Sequence, residues 1–283
     1  MRRNPDLKIL FTGSSGPKTG ATVARHLALS HVVIGLDLSP APTTTHIADI
    51  RTIHDWLPYL AGVDAVVHFA ALHAPHRQSH SREEFVATNV TATQSLVDAA
   101  KAAGVSRFVL ASTTSVYGGA MHAATQAVWV TESLTPVSED IYDEAKLAAE
   151  DICRAAYAPD FVTTALRFSR SFPEPLRDMA LYRLYRGVDA RDVAQAFQLA
   201  LAVSSPQFEV FNISSATPFA ESHCGQLKTD AAAVIRAVEP ALAAEFAARG
   251  WVLPASIDRV YVIDKAKAVL GFAPQFGWRD TLL

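Results

Sequence analysis

The chain has few cysteines, no excess of positive charge and no long apolar run. Its 283 residues include two cysteines, Cys153 and Cys224, too few for a disulfide framework and typical of a reducing compartment. The net charge of −3 disfavours a nucleic-acid partner, since nothing in it would attract a phosphate backbone. No apolar stretch reaches the ~18 residues that a membrane-spanning helix requires. We therefore expect a cytoplasmic protein without a membrane or nucleic-acid partner.

The sequence also lacks the ligand pattern of a metal site. His73, His76 and His80 fall in one short segment, with a proline between the first two and no cysteine or carboxylate among them. A closed zinc site needs about four ligands in tetrahedral array. We therefore expect no metal, and we interpret His73 as a polar side chain at the edge of a cofactor site.

Half of the residues are hydrophobic and 19% are charged, so a sizeable core is available. Short apolar segments alternate with segments of helical spacing. The predicted strands are 8–11, 31–37, 65–70, 107–111 and 162–168, and the predicted helices are 21–30, 51–60, 81–103 and 142–156. This alternation predicts an α/β fold, a Rossmann-type doubly wound parallel sheet with helices on both faces.

The pattern changes after about residue 173. A helix at 190–203, a strand at 208–213, a helical stretch at 226–249 and a short helix at 264–270 are predicted. We expect a Rossmann domain over residues 1–168. A small mixed α/β lobe over residues 169–283 would cover the carboxyl edge of the sheet, and elements near 190–215 would return to that sheet. In open α/β sheets this edge binds ligands.

A glycine-rich segment follows the first predicted strand, from Thr12 to Gly20. Gly13 and Gly16 would let the backbone approach a pyrophosphate at the start of a helix, where Pro17 fits the first position. Asp37 ends the second strand, 24 positions after Gly13. A carboxylate there binds a ribose 2′-hydroxyl and repels a 2′-phosphate, which favours NAD over NADP. The alternative is an ordinary strand-to-helix turn.

Tyr142 and Lys146 lie four residues apart in a predicted helix, and therefore on one face. A nearby ammonium lowers the pKa of a phenol, so the hydroxyl could exchange protons near neutral pH. Such chemistry makes or breaks a carbinol. The hydroxyl-rich segment 112–118 precedes this helix and ends a predicted strand.

Together these motifs resemble the extended short-chain dehydrogenase/reductase family, of the NAD-dependent epimerase/dehydratase type. They occur in the family's order: TGSSG at 12–16, Asp37, VHFAA at 67–71, Asn89-Val90, ASTTSVYG at 111–118, YDEAK at 142–146, LRF at 166–168, DARDVA at 189–194 and LGFAP at 270–274. The resemblance covers most of the chain.

The resemblance implies a role for each matching residue. Thr113 matches the catalytic hydroxyl, Tyr142 the general acid/base, and Lys146 the residue that holds the nicotinamide ribose. The implied NAD contacts are Gly13, Ser15, Gly16, Asp37, Ala70, Ala71, His73, Asn89 and Lys146. Asp49 and Ile50 either flank the adenine or lie on plain surface.

Two departures from the family pattern bear on the substrate. The third glycine, Gly20, comes one residue late, and the substrate lobe is abridged, with Arg170 where the family usually has asparagine. The short lobe favours a small substrate over a nucleotide diphosphate sugar and is similar to that of hexuronate dehydrogenases. Arg170 or Arg177 would then hold a carboxylate, or both are solvated charges. Thr113, Thr114 and Ser169 complete the expected substrate site.

Three functions remain open from the sequence. The first is an oxidoreductase that moves hydride between NAD and a secondary alcohol of a sugar, sugar acid or small polyol. The second is a sugar or nucleotide-sugar epimerase or dehydratase that retains and recycles its NAD. The third is a non-catalytic NAD-sensing protein. The resemblance also implies a homodimer through a four-helix contact of segments 81–103 and 142–156.

Overall fold

The computed structural model describes residues 6–16 and 19–283 of the chain. Its strands are β1 (Lys8–Thr12), β2 (Val32–Asp37), β3 (His46–Ile47), β4 (Ala65–His68), β5 (Arg107–Thr113), β6 (Val128–Val130), β7 (Val162–Phe168), β8 (Glu209–Ile213) and β9 (Arg259–Tyr261). Seven of them form one sheet in the order β3-β2-β1-β4-β5-β7-β8, and every neighbouring pair is parallel. The predicted α/β fold with a doubly wound parallel sheet is confirmed.

Helices cover both faces of this sheet. They are α1 (Gly20–Leu27), α2 (Leu57–Leu60), α3 (Arg82–Val86), α4 (Ala92–Ala102), α5 (Ile141–Ala156), α6 (Leu176–Tyr182), α7 (Ala190–Ala200), α8 (Cys224–Val238), α9 (Pro240–Ala248), α10 (Asp264–Leu270) and α11 (Trp278–Leu282). Buried side chains of α1, α7 and α10 form a core on one face of the sheet, and those of α4 and α5 form a core on the other.

The second lobe has its own core beside the carboxyl edge of the sheet. Buried residues of α6, α8 and α9 pack there, together with the short parallel pair β6 and β9. The chain returns to the large sheet between these elements, because β8 pairs with β7 and α7 packs on the α1 face. In the part of the chain that the structure describes, no helix has both the length and the apolar character to cross a bilayer.

Three predicted helices differ from the observed ones. The segment 51–60 is helical only over α2, because Asp49 and Asp55 accept hydrogen bonds from nearby backbone N–H groups and hold the chain in turns. The stretch 226–249 is two helices, α8 and α9, which separate at Glu239 just before Pro240, and α8 is itself kinked at Asp230, where the backbone is not helical. The helix 81–103 is interrupted by a π-helical turn at Ala87–Thr91. It ends as predicted before Gly104, whose φ of +76° suits the residue that follows a helix.

Candidate active site

The carboxyl ends of the central strands bring most of the predicted site residues to one edge of the sheet. Gly13 follows β1, Asp37 ends β2, Ala70 follows β4, Thr113 ends β5 and Ser169 follows β7. These segments are far apart in sequence and become neighbours only because the strands are parallel. The crevice at this edge is where an open α/β sheet binds its ligand.

Glycine is required at both ends of the turn after β1. Gly13 has a φ of +80°, and a Cβ there would lie 2.6 Å from the backbone nitrogen of Ala70. Gly20 is the first residue of α1, and a Cβ there would lie 2.4 Å from the carbonyl oxygen of Gly13. The late third glycine therefore still packs the helix start against the turn. The predicted helical position of Pro17 lies outside the described residues.

Asp37 is held beside the glycine turn by backbone hydrogen bonds. Its Oδ2 accepts from the N–H of Ser15 at 2.8 Å, and its Oδ1 accepts from the N–H of Ser39 at 3.2 Å. A carboxylate has about four lone-pair sites, so acceptor capacity remains for a ribose hydroxyl. The residues present thus fit the adenosine half of NAD. By contrast, Asp49 forms an ion pair with Arg51 at 2.6 Å, and Ile50 is buried in the core.

Asn89 fixes the loop after β4. Its Oδ1 accepts from the N–H of Leu72 at 2.8 Å, and its Nδ2 donates to the carbonyl of Leu72 at 2.9 Å. The side chain is buried, and the two bonds hold the backbone that follows Ala70 and Ala71. The same loop carries His73, whose ring centroid lies 6.2 Å from that of Tyr142.

The start of α5 determines where Tyr142 lies. Asp140 caps this helix by accepting from the N–H groups of Tyr142 and Asp143 at 2.8 and 3.2 Å. Tyr142 therefore occupies the first turn, next to the end of β5, and the Thr113 hydroxyl is its side-chain hydrogen-bond partner. Sequence reasoning predicted this neighbourhood from motif order alone.

The pKa of Tyr142 is raised above its ordinary value. Burial of the phenol is the largest cause, the Thr113 hydrogen bond opposes it, and the negative charges of Asp143 and Asp140 add to it. Lys146 instead donates its Nζ–H to the carbonyl of Ala111 at 2.9 Å, and burial lowers its pKa to about 8. That Lys146 lowers the pKa of Tyr142 stays a prediction.

Two polar residues near this site were missed from the sequence. Ser115 donates to Oδ1 of Asp143 at 2.5 Å and accepts from the hydroxyl of Thr113 at 3.1 Å. The sequence signals were the hydroxyl-rich segment 112–118, which contains Ser115, and the carboxylate directly after Tyr142. Such a carboxylate on a helix would ordinarily be assigned to the surface. Asp143 is instead 2% exposed.

Sequence reasoning also missed the buried ion pair between Glu150 and Arg167. Glu150 accepts from Nε and Nη2 of Arg167 at 2.8 and 2.5 Å and from the hydroxyl of Ser112 at 2.5 Å. Arg167 also donates to the hydroxyl of Tyr117 at 2.6 Å, which donates to Asn212 at 3.1 Å. This network joins β5, β7, β8 and α5, so it stabilises the framework that carries Thr113 and Tyr142. Tyr117 was predicted to serve in packing, and it is buried here.

The two candidate carboxylate-binding arginines already have acidic partners. Arg170 forms an ion pair with Glu174, and its guanidinium lies 5.5 Å from the ring centroid of Tyr182. Arg177 pairs with Asp178 at 2.8 Å and is half exposed.

The other two predicted substrate residues are buried. The backbone carbonyl of Thr114 accepts a hydrogen bond from the hydroxyl of Tyr261 at 3.2 Å. The hydroxyl of Ser169 donates to that of Ser214 at 3.1 Å. Ser169 therefore links the substrate side of β7 to the segment after β8. Within residues 6–16 and 19–283, no three His, Cys, Asp or Glu side chains could hold a metal ion.

The model of the NAD dependent epimerase/dehydratase family matches residues 9–173, which is more than half of the chain. The chain belongs to this family. A protein of Bacillus subtilis described as an uncharacterized UDP-glucose epimerase is 29% identical over 203 residues. That match covers 64% of this chain and 62% of the relative, which is less than two thirds of that protein.

Solved structures show the same fold over nearly the whole chain. A short-chain dehydrogenase/reductase superfamily protein of Agrobacterium tumefaciens with bound NAD has a TM-score of 0.71 at 24% identity, and covers 97% of this chain and 94% of its own. A mutated uronate dehydrogenase has a TM-score of 0.69 at 17% identity, and the match covers 96% of this chain and 83% of the dehydrogenase. These likenesses show that the chain has the fold of NAD-binding proteins of this kind over nearly its whole length.

Proposed function

We propose that the protein is a dehydrogenase that oxidises a secondary alcohol of a sugar, sugar acid or small polyol, or reduces the corresponding ketone. The adjacency of Tyr142 and Thr113 at the carboxyl end of β5, beside the glycine turn, carries this proposal. Bound NAD would supply the hydride acceptor. Gly13, Ser15 and Asp37 would hold its adenosine and pyrophosphate half, and Lys146 its nicotinamide ribose.

The proposed chemistry assigns one task to each side chain. Tyr142 takes the proton of the substrate alcohol as the C–H bond gives up hydride, and returns it in the reverse direction. Thr113 hydrogen-bonds to the same substrate oxygen and so orients it. Lys146 has a pKa lowered to about 8 by burial, so it is largely protonated at neutral pH and supplies positive charge beside the developing phenolate.

The shape of the chain after β7 supports a small substrate. The backbone N–H of Arg170 donates to the carbonyl of Arg186 at 3.1 Å, and the backbone carbonyl of Arg170 accepts from the N–H of Val188 at 2.9 Å. These bonds close the segment from Arg170 to Val188 into a compact loop that contains α6. Because Arg170 and Arg177 are already paired with carboxylates, a neutral sugar or polyol suits this segment as well as a sugar acid does.

Substitution of Tyr142 tests the proposal. Tyr142→Phe keeps the ring but removes the group that exchanges the proton, so we expect kcat to fall by ~10²–10⁴. The measurement is NADH absorbance during turnover across sugars, sugar acids and polyols. The affinity for NAD, measured by calorimetry, is the control and should be nearly unchanged. An unaltered kcat would remove Tyr142 from the mechanism.

A second candidate function is an epimerase or dehydratase that retains its NAD. The hydroxyl-rich end of β5 favours it, since the segment 112–117 is closer to the epimerase pattern than to that of the hexuronate dehydrogenases. Acid denaturation of the purified protein, followed by an assay for NAD(H) in the supernatant, separates the two. Near-stoichiometric NAD favours the epimerase or dehydratase. Little or none favours a dehydrogenase with exchangeable NAD.

We propose that the protein forms a homodimer through the face of α3, α4 and α5. Val86 is 40% exposed on this face although it is apolar, and the Arg82–Glu144 ion pair joins α3 to α5 there. Light scattering should give about twice 30.5 kDa. Val86→Glu should reduce the mass to that of the monomer, whereas substitution of exposed Val252, outside this face, should not.

A further inference from the structure

His68, the last residue of β4, lies buried between two segments that border the cofactor crevice. Its Nδ1 is 2.6 Å from the hydroxyl oxygen of Thr12, the last residue of β1. Its Nε2 is 2.9 Å from the hydroxyl oxygen of Thr93, in α4. Each of the three residues is at most 2% exposed. Both ring nitrogens therefore have a protein partner, as a buried imidazole requires.

The ring of His68 is neutral. Burial is the largest cause that lowers its pKa to about 3, and the positive charge of Lys146 adds to the shift. Both of its hydrogen-bond partners are neutral hydroxyl groups, which do not offset the cost of a buried imidazolium. One ring nitrogen of His68 therefore carries a proton and donates, and the other accepts.

The carbonyl of Asn89 determines which nitrogen carries the proton. It lies 2.8 Å from the hydroxyl oxygen of Thr93, and because a carbonyl only accepts, Thr93 must donate its single hydroxyl proton there. The Nε2 of His68 must then donate to Thr93. The unprotonated Nδ1 accepts from Thr12, so His68 is the tautomer with its proton on Nε2.

This series of hydrogen bonds joins two anchors of the loop after β4. Thr12, which donates to His68, accepts from the N–H of Ala70 at 3.3 Å on the same hydroxyl oxygen. At the other end of the series, the side-chain amide of Asn89 binds the N–H and the carbonyl of Leu72. The imidazole thus connects the group that holds the start of this loop with the group that holds its next turn.

We propose that His68 is a positioning residue for the nicotinamide half of NAD. The inference rests on the NAD site of the proposed function, in which Ala70 and Ala71 would line that half of the cofactor. The loop packs so closely on Gly13 that a Cβ there would lie 2.6 Å from the nitrogen of Ala70, so its place is set to a fraction of an ångström. Loss of either bond of the imidazole would release one anchor and displace the loop.

Thr93→Val is the decisive variant, because valine keeps the shape of threonine and removes the hydroxyl that links His68 to Asn89. Calorimetry would compare NAD with ADP, which contains the adenosine and the pyrophosphate but neither the nicotinamide nor its ribose. We expect the affinity for NAD to fall by ~10-fold and that for ADP by less than ~2-fold, since one buried hydrogen bond is lost from an anchor of the nicotinamide half alone. Thr93→Ser keeps the hydroxyl and should bind NAD nearly as the wild type does.

Two further variants frame this result. His68→Phe removes both bonds of the imidazole and should weaken NAD at least as much as Thr93→Val does, again with little change for ADP. Asp37→Asn is the control for the other half of the cofactor and should weaken NAD and ADP by the same factor. Equal losses for NAD and ADP in a folded Thr93→Val, as judged by thermal melting, would mean that the series supports the fold alone and would overturn the inference. Unchanged affinity for NAD would overturn it as well.

The tautomer of His68 gives a second readout, which uses the wild-type protein. ¹⁵N NMR of its ring nitrogens should show a proton on Nε2 and none on Nδ1, without change from about pH 5 to about pH 8. A proton on Nδ1 anywhere in this range would overturn the inference. Failure of the proposed function has a different signature, a wild-type protein that binds NAD more tightly than ADP but turns over no alcohol.

Discussion

Two of the charged groups that helix α5 buries, Lys146 and Glu150, lie one turn apart, and their surroundings differ. Glu150, 1% exposed, is paired with Arg167 through two bonds and accepts a third from Ser112. Lys146, 4% exposed, has a backbone carbonyl as its hydrogen-bond acceptor. A buried charge with a full set of partners holds a framework together. A buried charge without a carboxylate in contact costs stability, and such a cost is typical of functional sites.

The largest loss of stability should come from replacement of Glu150, the buried charge that is paired. Glu150→Leu leaves Arg167 buried without its carboxylate, and we expect the free energy of unfolding to fall by about 3–5 kcal/mol in urea denaturation. Glu144→Leu, on the same helix, breaks the exposed pair with Arg82 and should cost less than about 1 kcal/mol.

The double variant Glu150→Leu/Arg167→Met sharpens the comparison. It replaces both charges with apolar groups, so most of the lost stability should return. A double variant as unstable as the single one would mean that Glu150 acts mainly through Ser112 and packing.

Replacement of Lys146 should change the free energy of unfolding by a smaller amount and in the opposite direction. Its pKa is about 8 in the folded protein and about 10.5 when unfolded, so below pH 8 both states are protonated and the burial penalty is complete. Between pH 8 and 10.5 the unfolded chain binds more protons, so stability gains from this group as the pH rises. Lys146→Met should therefore be more stable below pH 8, by roughly 2 kcal/mol after loss of the Ala111 bond, and inactive.

The measurement is the free energy of unfolding at several pH values between 7 and 10. The advantage of Lys146→Met over the wild type should shrink as the pH rises through this range. Lys101→Met is the matched control, because Lys101 also donates to a backbone carbonyl, that of Ala156 at 2.9 Å, but is exposed. An advantage that does not vary with pH would show that packing, and not the buried charge, is responsible.

The same contrast explains what could be predicted from the sequence. The strands, the glycine turn and the Tyr142–Lys146 pair follow from local patterns, such as apolar runs and spacing along one helix. The partners of Glu150 and Asp143 lie 17 and 28 residues away, on β7 and after β5, and no local pattern reveals such pairs. Sequence reasoning therefore found the chemical groups but not the causes that raise the pKa of Tyr142, because burial and the nearby carboxylates are properties of the assembled site.

The π-helical turn at Ala87–Thr91 has a consequence for how this site can change during evolution. A π turn contains one more residue than an α turn, and here it includes Asn89, which holds the loop after β4. Deletion of a single codon within this turn would restore a regular helix and rotate the preceding residues by about 100° relative to α4. The anchoring of that loop thus depends on the number of residues in the π turn as much as on the presence of asparagine at position 89.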